Sequence, residues 1–351
     1  MSKNDEAIIK RLTELYNSTD QDVKKLPLDS DTKYALFSDL HFGDGKKADN
    51  FVHNEKTLEC ALKFYKNKKY SIIFLGDLEE LWQFDLSIIK SRYYKRIYKL
   101  LRSFPKETIH RIFGNHDREW KRPPDPILNE VHIQDGTPEA IKLGKDIFLV
   151  HGHQGDYLCD KVIWFSKFWS RAAKPLVFIL KMFGYENRSA TKSQIPKSRE
   201  RVYYNWAKKN KVFLICGHTH NAIFASRSYY WWLKENIKKK EIEREKCSNN
   251  KVQQKGLSGE IRKLKRKLRY EKRKGRNYHR VVNKGIPLPC YFNTGCGLYS
   301  KGITNIEIEG DKIRLIKWQS DESILEEAQR KELWDEESLS VLRKKIKDKS
   351  I

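Results

Sequence analysis

Short apolar segments separated by helical patterns run through most of the chain. Five of these segments are five or six residues long, and polar residues follow each of them at once. Continuous apolar runs of this length are typical of strands buried on both faces, and the amphipathic patterns near residues 55–67, 85–103 and 197–209 are typical of helices. An α/β fold is therefore predicted. Its five strands are Tyr34–Ser38, Ser71–Leu75, Thr108–Phe113, Asp146–Val150 and Val212–Cys216.

Two charged ends flank the main predicted domain, which covers residues 31–320. Residues 1–30 predict a helix followed by a turn, and residues 321–351 predict a charged C-terminal helix. Within the main domain, later strand-like runs lie at Tyr291–Asn293, Thr304–Ile308 and Lys312–Trp318.

An apolar insertion, residues 156–195, interrupts the α/β pattern. It is rich in large apolar side chains such as Trp164, Trp169 and Phe183, with lysines and arginines between them. Its position after a histidine motif predicts a helical cap over a functional site. An aromatic stripe of this kind is more often a core face than a lipid site, yet basic residues around apolar ones also suit a helix on an anionic membrane. Both interpretations stay open.

A basic insertion covers residues 225–285. Its segment 234–280 holds 19 Lys and Arg against 6 Asp and Glu, which is about half of the net charge of the whole chain. Three interpretations are open: a solvated, partly disordered loop; a helical hairpin, since apolar residues recur at helical spacing from Ile261 to Leu268; or an arm that binds nucleic acid. The preceding aromatic run Tyr229–Trp232 either stacks on bases or belongs to the core. Because charge runs are non-specific evidence, the loop or hairpin is favoured.

Composition limits the class of protein and its partners. The 351 residues carry a formal net charge of +25, which favours anionic partners such as nucleic acid, acidic lipid or phosphorylated substrates. The six cysteines form no CxxC pair, so we expect neither a disulfide framework nor a cysteine zinc site. The charged start lacks the apolar centre of a secretion signal, and no stretch is apolar enough to span a bilayer. We expect a cytoplasmic protein, with peripheral membrane attachment open, and predict no protein partner.

Polar motifs follow all five predicted strands. In open α/β sheets, ligands gather at the carboxyl ends of strands, so five loops can converge on one point. The residues there mix carboxylates, an amide and imidazoles, which suit borderline divalent metals. They exceed the three or four ligands of one catalytic zinc, and therefore predict two divalent ions, Mn²⁺ first, with Fe or Zn as alternatives. The predicted ligands are Asp39, His41, Asp77, Asn115, His151, His218 and His220.

A pair of metals predicts hydrolysis at phosphorus. Ions roughly 3.5–4 Å apart clamp the attacking and leaving oxygens of a phosphoryl displacement, and a water that bridges them becomes the nucleophile. The expected reaction is hydrolysis of a phosphodiester or phosphoanhydride bond by a metal-bridging hydroxide. Glycines precede Asp77, Asn115 and His218, and we expect them to allow tight turns that bring these side chains to a metal.

The motifs, taken in order, resemble those of the calcineurin-like metallophosphoesterases. The matching elements between residues 34 and 220 are Asp39-x-His41, Gly76-Asp77, Gly114-Asn115-His116-Asp117, His151 and Gly217-His218-x-His220. This resemblance implies a two-sheet β-sandwich flanked by helices. It implies one metal on Asp39, His41 and His220, a second on Asn115, His151 and His218, and Asp77 as the bridge. It also implies that His116 protonates the leaving oxygen and that Asp117 or Asp39 supports its charge.

Within this superfamily, the chain looks most similar to the UDP-2,3-diacylglucosamine pyrophosphatases. The stretch Gly76–Trp82, the helical insertion, and Lys192-Ser193-Gln194 with Lys197 beyond carry that resemblance. It implies a cap over acyl chains, with Lys192, Ser193 and Lys197 touching the substrate. The chain departs from that branch at His116, where the branch typically has Arg, at His153, where it has Asp, and in its basic insertion.

Three functions remain open from the sequence. The first is hydrolysis within a nucleotide-sugar lipid, which the predicted cap supports. The second is a nuclease or nucleotide phosphodiesterase that grips nucleic acid through segment 234–280. The third is an inactive scaffold that binds anionic membrane or nucleic acid, although the intact set of ligands argues against it. A metal-bound imidazole needs a hydrogen-bond acceptor on its other nitrogen, and Glu80 and Asp156 are the candidates, while His153 is expected to be structural or supporting.

Overall fold

Two β-sheets, one of seven strands and one of six, lie at the centre of the protein. The computed structural model describes residues 2–121, 137–156, 195–247, 250–273, 287–320 and 330–348. The strands within these ranges are β1 (Val23–Leu26), β2 (Lys33–Phe37), β3 (Ser71–Leu75), β4 (Ile109–Ile112), β5 (Ala140–Leu143), β6 (Ile147–Val150), β7 (Phe213–Cys216), β8 (Ala222–Phe224), β9 (Arg227–Ser228), β10 (Tyr291–Thr294), β11 (Ile303–Glu309), β12 (Lys312–Trp318) and β13 (Lys331–Ser338).

The larger sheet has the order β1-β5-β6-β7-β10-β8-β9, and the smaller one has the order β13-β12-β11-β2-β3-β4. The helices are α1 (Lys3–Asn17), α2 (Glu55–Asn67), α3 (Leu86–Tyr93), α4 (Ile195–Asn210), α5 (Tyr229–Lys246), α6 (Lys251–Arg273) and α7 (Leu339–Asp348). A π-helical turn, Tyr94–Tyr98, continues α3 to a last helical turn that ends at Leu101.

Alternating side chains of the central strands fill two hydrophobic clusters. In β2, Leu36 belongs to a cluster shared with strands of the larger sheet, whereas Ala35 and Phe37 face a second cluster with α2 and α3. In β3, Ile73 and Ile72 divide in the same way. Side chains of successive strand residues point to opposite faces, so apolar residues at every position bury both faces of the sheet. The predicted α/β sandwich flanked by helices is therefore confirmed.

Parallel pairing aligns the ends of the strands that carry polar motifs. β2, β3 and β4 run parallel to one another in the smaller sheet, and β6, β7 and β10 do so in the larger sheet. All five predicted motif-bearing strands are present, and each begins and ends within one residue of its predicted bounds. Because parallel strands end at the same edge, the loops that follow them lie side by side.

The predictions for the two ends of the chain need correction. The N-terminal helix is present, with Ile8 and Leu12 buried, but the expected turn contains β1, which pairs with β5. The expected C-terminal helix is a strand over Lys331–Ser338 and a helix only from Leu339. β13 pairs antiparallel with β12 along its whole length. Strand pairing outweighs the helical propensity of its charged residues, so residues 331–348 belong to the main sheet and core.

The basic insertion forms a helical hairpin, which was one of the three interpretations. α5 and α6 pack against each other, and buried Leu233 and Ile237 of α5 lie with Leu257 and Ile261 of α6. At the base of the hairpin, the ring of Tyr229 stacks on Trp334 with 3.7 Å between ring centroids.

Three further expectations concern the predicted cap, a membrane span and the cysteines. The predicted cap lies largely outside the described residues. None of the helices described here is long and apolar enough to cross a bilayer. The cysteines in the described part of the chain are free thiols.

One buried histidine makes the stability of the fold depend on pH. His110 in β4 is 6% exposed, and its Nδ1 lies 3.1 Å from Nζ of Lys24. Burial and the nearby Lys24 charge lower the pKa of His110 to about 4, against about 6.5 in an unfolded chain. The folded state therefore favours the neutral ring. The contribution of His110 to the free energy of unfolding is fully present above pH 6.5 and is lost as the pH falls through 4.

We expect His110→Asn to flatten the pH dependence of unfolding. Between pH 7 and pH 4 the wild-type chain should lose about 3 kcal/mol of unfolding free energy through this group, and the variant should lose correspondingly less. Urea unfolding at each pH measures the difference. Parallel curves for the two proteins would contradict the assignment.

Candidate metal centre

The polar motifs of five strands meet at one edge of the two sheets. Asp39 and His151 are completely buried there, whereas His218 and His220 are partly exposed. The structure brings all seven predicted ligands together, as expected for residues at strand carboxyl ends. β2 supplies Asp39 and His41, β3 supplies Asp77, β4 supplies Asn115, β6 supplies His151, and β7 supplies His218 and His220.

Five of these seven residues have a left-handed backbone. Residues with a side chain rarely adopt this conformation, which costs on the order of 1 kcal/mol at each position. Backbone hydrogen bonds between neighbouring loops hold it, such as that from His41 N to Asp77 O at 3.0 Å. Strain concentrated in this way is typical of a functional site. The φ angles are 53° at Asp39, 51° at His41, 55° at Asp77, 66° at His218 and 56° at His220.

The glycines that precede the ligands have two different roles. Gly76 has a φ of +86°, so it makes the tight turn that the sequence predicted before Asp77. Gly114 is required for space, because a Cβ there would lie 2.1 Å from Oδ1 of Asp77. Both glycines therefore keep the Asp77 carboxylate in place.

The ligand atoms form two neighbouring groups. In the first, Nε2 of His220 lies 3.2 Å from Oδ1 of Asp39 and 3.3 Å from Nε2 of His41. These three residues are the set expected to hold one metal.

The second group contains Asp77, Asn115, His151 and His218. Nε2 of His151 lies 3.2 Å from Oδ2 of Asp77 and 3.1 Å from Oδ1 of Asn115. The same Asp77 oxygen is 3.8 Å from Nε2 of His41 in the first group. Asp77 thus lies between the two groups, where the resemblance placed the bridging carboxylate.

Hydrogen bonds on the far side of two rings suit metal binding. Nδ1 of His151 donates to the backbone oxygen of Leu75 at 2.7 Å, and Nδ1 of His41 donates to Glu80 at 2.9 Å. When a cation is bound, a proton on Nδ1 leaves each ring neutral and turns the lone pair of Nε2 towards the ligand groups. Facing lone pairs on nitrogen and oxygen repel one another unless a cation lies between them, so the donor set fits divalent metal ions.

The charges of the site also favour cations. Burial would raise the pKa of Asp77, but His151 and other nearby histidines hold it well below its usual value. Burial would lower the pKa of His41, but Glu80 and Asp77 raise it to about 9. In the same way, Asp77 overcomes burial and raises the pKa of His151 to about 9. The buried carboxylates therefore require positive charge beside them, which divalent ions provide when bound.

Glu80 holds two histidine rings at once. Its Oε2 accepts from Nδ1 of His41 at 2.9 Å, and its Oε1 accepts from Nδ1 of His116 at 2.8 Å. Burial opposes its charge, but the two histidines lower the pKa of Glu80 to about 2. The expectation that Glu80 accepts from an imidazole of the site is confirmed. The expectation that Asp117 or Asp39 supports His116 is wrong, because Glu80 holds that ring.

Asp117 instead ties two loops together. Its carboxylate accepts from the backbone nitrogen of Gly114 at 2.6 Å and that of Leu78 at 2.9 Å, and it pairs with Arg111 at 2.6 Å. Asp117 is fully buried. It therefore positions the loops after β3 and β4 and does not contact the His116 ring that it was expected to orient.

The His116 ring lies at the opening of the site. Its side chain is 21% exposed, more than the 12% of His220 and the 7% of His41. The ring of Trp82 stacks on it with 3.8 Å between centroids and 23° between planes. Nε1 of Trp82 donates to the backbone oxygen of Asn115 at 2.8 Å, which fixes the indole. Sequence reasoning did not predict this stack, although both residues belong to the motifs that we singled out.

The remaining predicted residues have mixed outcomes. His153 is buried, and its ring lies 5.4 Å from that of His151, as expected for a structural or supporting residue. Asp156, the other expected acceptor, pairs with Arg199 at 2.5 Å. Lys192 and Ser193 lie outside the described residues. Lys197 lies within α4, and the structure describes its backbone but not its side chain.

Two sheets converge on clusters of Asp, His and Asn side chains. This arrangement is typical of the metal-dependent phosphoesterases. A family model of the calcineurin-like phosphoesterases matches residues 32–222, and the chain belongs to this family. The match includes all seven ligands and His116. The curated proteins contain no match to the chain.

We expect Glu80→Gln to weaken the site without unfolding the chain. Glutamine keeps the shape but removes the charge that supports His41 and His116, and loss of such a partner typically costs 10–100-fold in metal affinity or activity. Manganese affinity from calorimetry and diester turnover measure the loss. The exposed Glu107→Gln is the matched control. Wild-type values for both quantities in the Glu80 variant would show that the two hydrogen bonds are dispensable.

Proposed function

We propose that the chain hydrolyses a phosphodiester or phosphoanhydride bond with two divalent ions. One observation carries this proposal: two groups of ligand atoms share Asp77, which lies 3.2 Å from His151 and 3.8 Å from His41. Asp39, His41 and His220 would hold one ion, and Asn115, His151 and His218 the other. Two ions bound in this way provide the charge that activates water and stabilises a phosphoryl displacement.

The other residues of the site have roles of their own. Nδ1 of His116 donates to Glu80, so Nε2 is the ring nitrogen that would deliver a proton to the leaving oxygen. His116 lies at the opening of the site with its side chain 21% exposed, where a substrate could meet it. Trp82 restricts the ring by stacking, and Glu80 orients it through the hydrogen bond to Nδ1. We propose Mn²⁺ as the metal, with Fe or Zn as alternatives, because the donors mix imidazole and oxygen.

The substrate has two candidate classes. The resemblance to UDP-2,3-diacylglucosamine pyrophosphatases supports a nucleotide-sugar lipid, with the cap at residues 156–195 over the acyl chains and Lys192, Ser193 and Lys197 at the substrate. The His116 departure and the basic hairpin support a nucleic acid. A cytoplasmic location remains the expectation for either class.

A panel of substrates with Mn²⁺ tests the proposed reaction. Bis-p-nitrophenyl phosphate, a cyclic nucleotide and a UDP-linked lipid would each be incubated with the full chain, with and without EDTA. We expect metal-dependent release from at least the activated diester. Failure of every phosphoester and phosphoanhydride at any metal concentration would leave the chain as a scaffold that binds anions.

A further inference from the structure

The apolar residues of α6 and six of its exposed cations lie on different sides of the helix. Its apolar residues Leu257, Ile261, Leu264 and Leu268 recur at helical spacing and face α5 and the core. On the opposite side, six exposed cations fall within an arc of about 60° at 3.6 residues per turn. This cation stripe consists of Lys251, Lys255, Arg262, Arg266, Arg269 and Arg273.

Ion pairs engage some of the other cations of the hairpin. Lys240 pairs with Glu260, Lys265 pairs with Glu241 at 2.7 Å, and Lys267 pairs with Glu332 of β13. In the described part of the chain, no carboxylate lies within ion-pair distance of the stripe cations. Lys265 and Lys267 of α6 are thus neutralised, whereas the stripe presents its charge to solvent. An unneutralised row of like charges costs free energy unless it meets an anionic partner.

The stripe ends beside the metal centre. Tyr270 in the last turn of α6 hydrogen-bonds to Ser300 at 3.3 Å, and the neighbouring Tyr299 donates from its hydroxyl to the backbone oxygen of His220 at 2.6 Å. Glu271 of α6, Tyr299 and Asn221 line one pocket together. The last turn of α6 is therefore close to a predicted ligand, and the stripe extends about 33 Å away from it at 1.5 Å per residue.

The chemistry of the stripe favours nucleic acid over a membrane. A helix that lies on a bilayer needs an exposed apolar side to insert, and that side of α6 is packed against α5 and the core. Four of the six cations are arginines, and these four are at the end nearer the site. The planar guanidinium binds phosphate in a bidentate manner, and a row of such groups matches the repeated charge of a phosphate backbone.

We infer that a single strand of nucleic acid lies along the cation stripe of α6 and reaches the metal centre over Arg273. This inference deepens the proposed function, on which it rests for the cleavage of the bound strand, and it names the substrate class. The stripe would grip phosphates without reading the sequence of bases. Tyr229, which was a candidate for base stacking, is 7% exposed and stacks on Trp334, so it belongs to the core instead.

Charge substitutions in the full chain test the stripe. The test variant is Arg262→Gln/Arg266→Gln/Arg269→Gln, and the matched control is Lys238→Gln/Lys239→Gln/Lys246→Gln, which removes the same charge from exposed positions on α5. Binding of a labelled 30-nucleotide DNA or RNA strand in EDTA is followed by fluorescence anisotropy across a salt series. Hydrolysis of bis-p-nitrophenyl phosphate with Mn²⁺ is measured in parallel.

We expect the test variant to bind the strand at least about tenfold more weakly, with a salt slope smaller by about 2, because each lost phosphate contact contributes about 0.7. Its hydrolysis of the small diester should equal that of the wild type, and the control should bind nearly as the wild type does. Equal losses in the two variants would overturn the stripe, as would stripe-dependent binding to phosphatidylglycerol vesicles that exceeds binding to the strand. Small-diester hydrolysis without strand binding would overturn this inference alone. If the strand binds through the stripe but neither it nor the small diester is hydrolysed, the binding surface is supported and the proposed function is overturned.

Discussion

Asp77→Asn should abolish metal binding at both ligand groups and reduce phosphodiester turnover by about 10³-fold or more. Among the described residues, Asp77 is the carboxylate that the two groups share, with an oxygen 3.2 Å from His151 and 3.8 Å from His41. Asparagine keeps the volume but removes the negative charge that a bridging position requires. Since paired ions contribute several kcal/mol to a phosphoryl displacement, their loss should remove most of the rate.

Metal content and turnover should be measured on the same preparation of Asp77→Asn. The exposed Asp20→Asn is the matched control and should retain both. Circular dichroism would establish that the variant is folded. Wild-type turnover in a folded Asp77→Asn variant would refute the assignment of Asp77, and loss of only one ion would place the bridge elsewhere.

His116→Ala should keep its metals but slow the reaction in a way that depends on the leaving group. His116 is partly exposed, and its ring hydrogen-bonds to Glu80 and stacks on Trp82. A general acid contributes about 10²–10⁴-fold when the leaving oxygen is strongly basic. Phosphodiesters with alkyl leaving groups should therefore lose about that much, whereas p-nitrophenyl diesters, whose leaving group needs no proton, should lose only a few-fold.

A series of phosphodiesters of increasing leaving-group pKa measures this dependence. The plot of log kcat against that pKa should be steeper for His116→Ala than for the wild type. Trp82→Phe is a useful companion, because it keeps an aromatic ring beside His116 and should retain the wild-type slope. Equal losses for good and poor leaving groups would remove His116 as the acid.

The strands that carry the site were predictable because burial on both faces leaves a strong signal. β3 and β7 are continuous apolar runs, and the polar residues that follow them stand out at once. Convergence of those residues then follows from the topology of parallel strands. The ligand set needed no information about side-chain contacts, which is why residue type and position were sufficient.

Edge strands and supporting contacts were not predictable in the same way. β13 alternates exposed Leu333, at 53%, with buried Trp334, and its charged residues have helical propensity, so only pairing with β12 reveals a strand. Glu80 was predictable as an acceptor for one imidazole, but its contact with two rings from different loops, His41 and His116, forms only in the folded chain. Local sequence carries no record of such long-range partners.

The number of metal ions per chain tests the central claim most directly. Metal-free protein would be titrated with Mn²⁺ while bound metal is counted by mass spectrometry and hydrolysis of bis-p-nitrophenyl phosphate is followed. The account predicts that two equivalents bind and that activity reaches its maximum only with the second. Full activity at one equivalent, or with no metal bound, would contradict it.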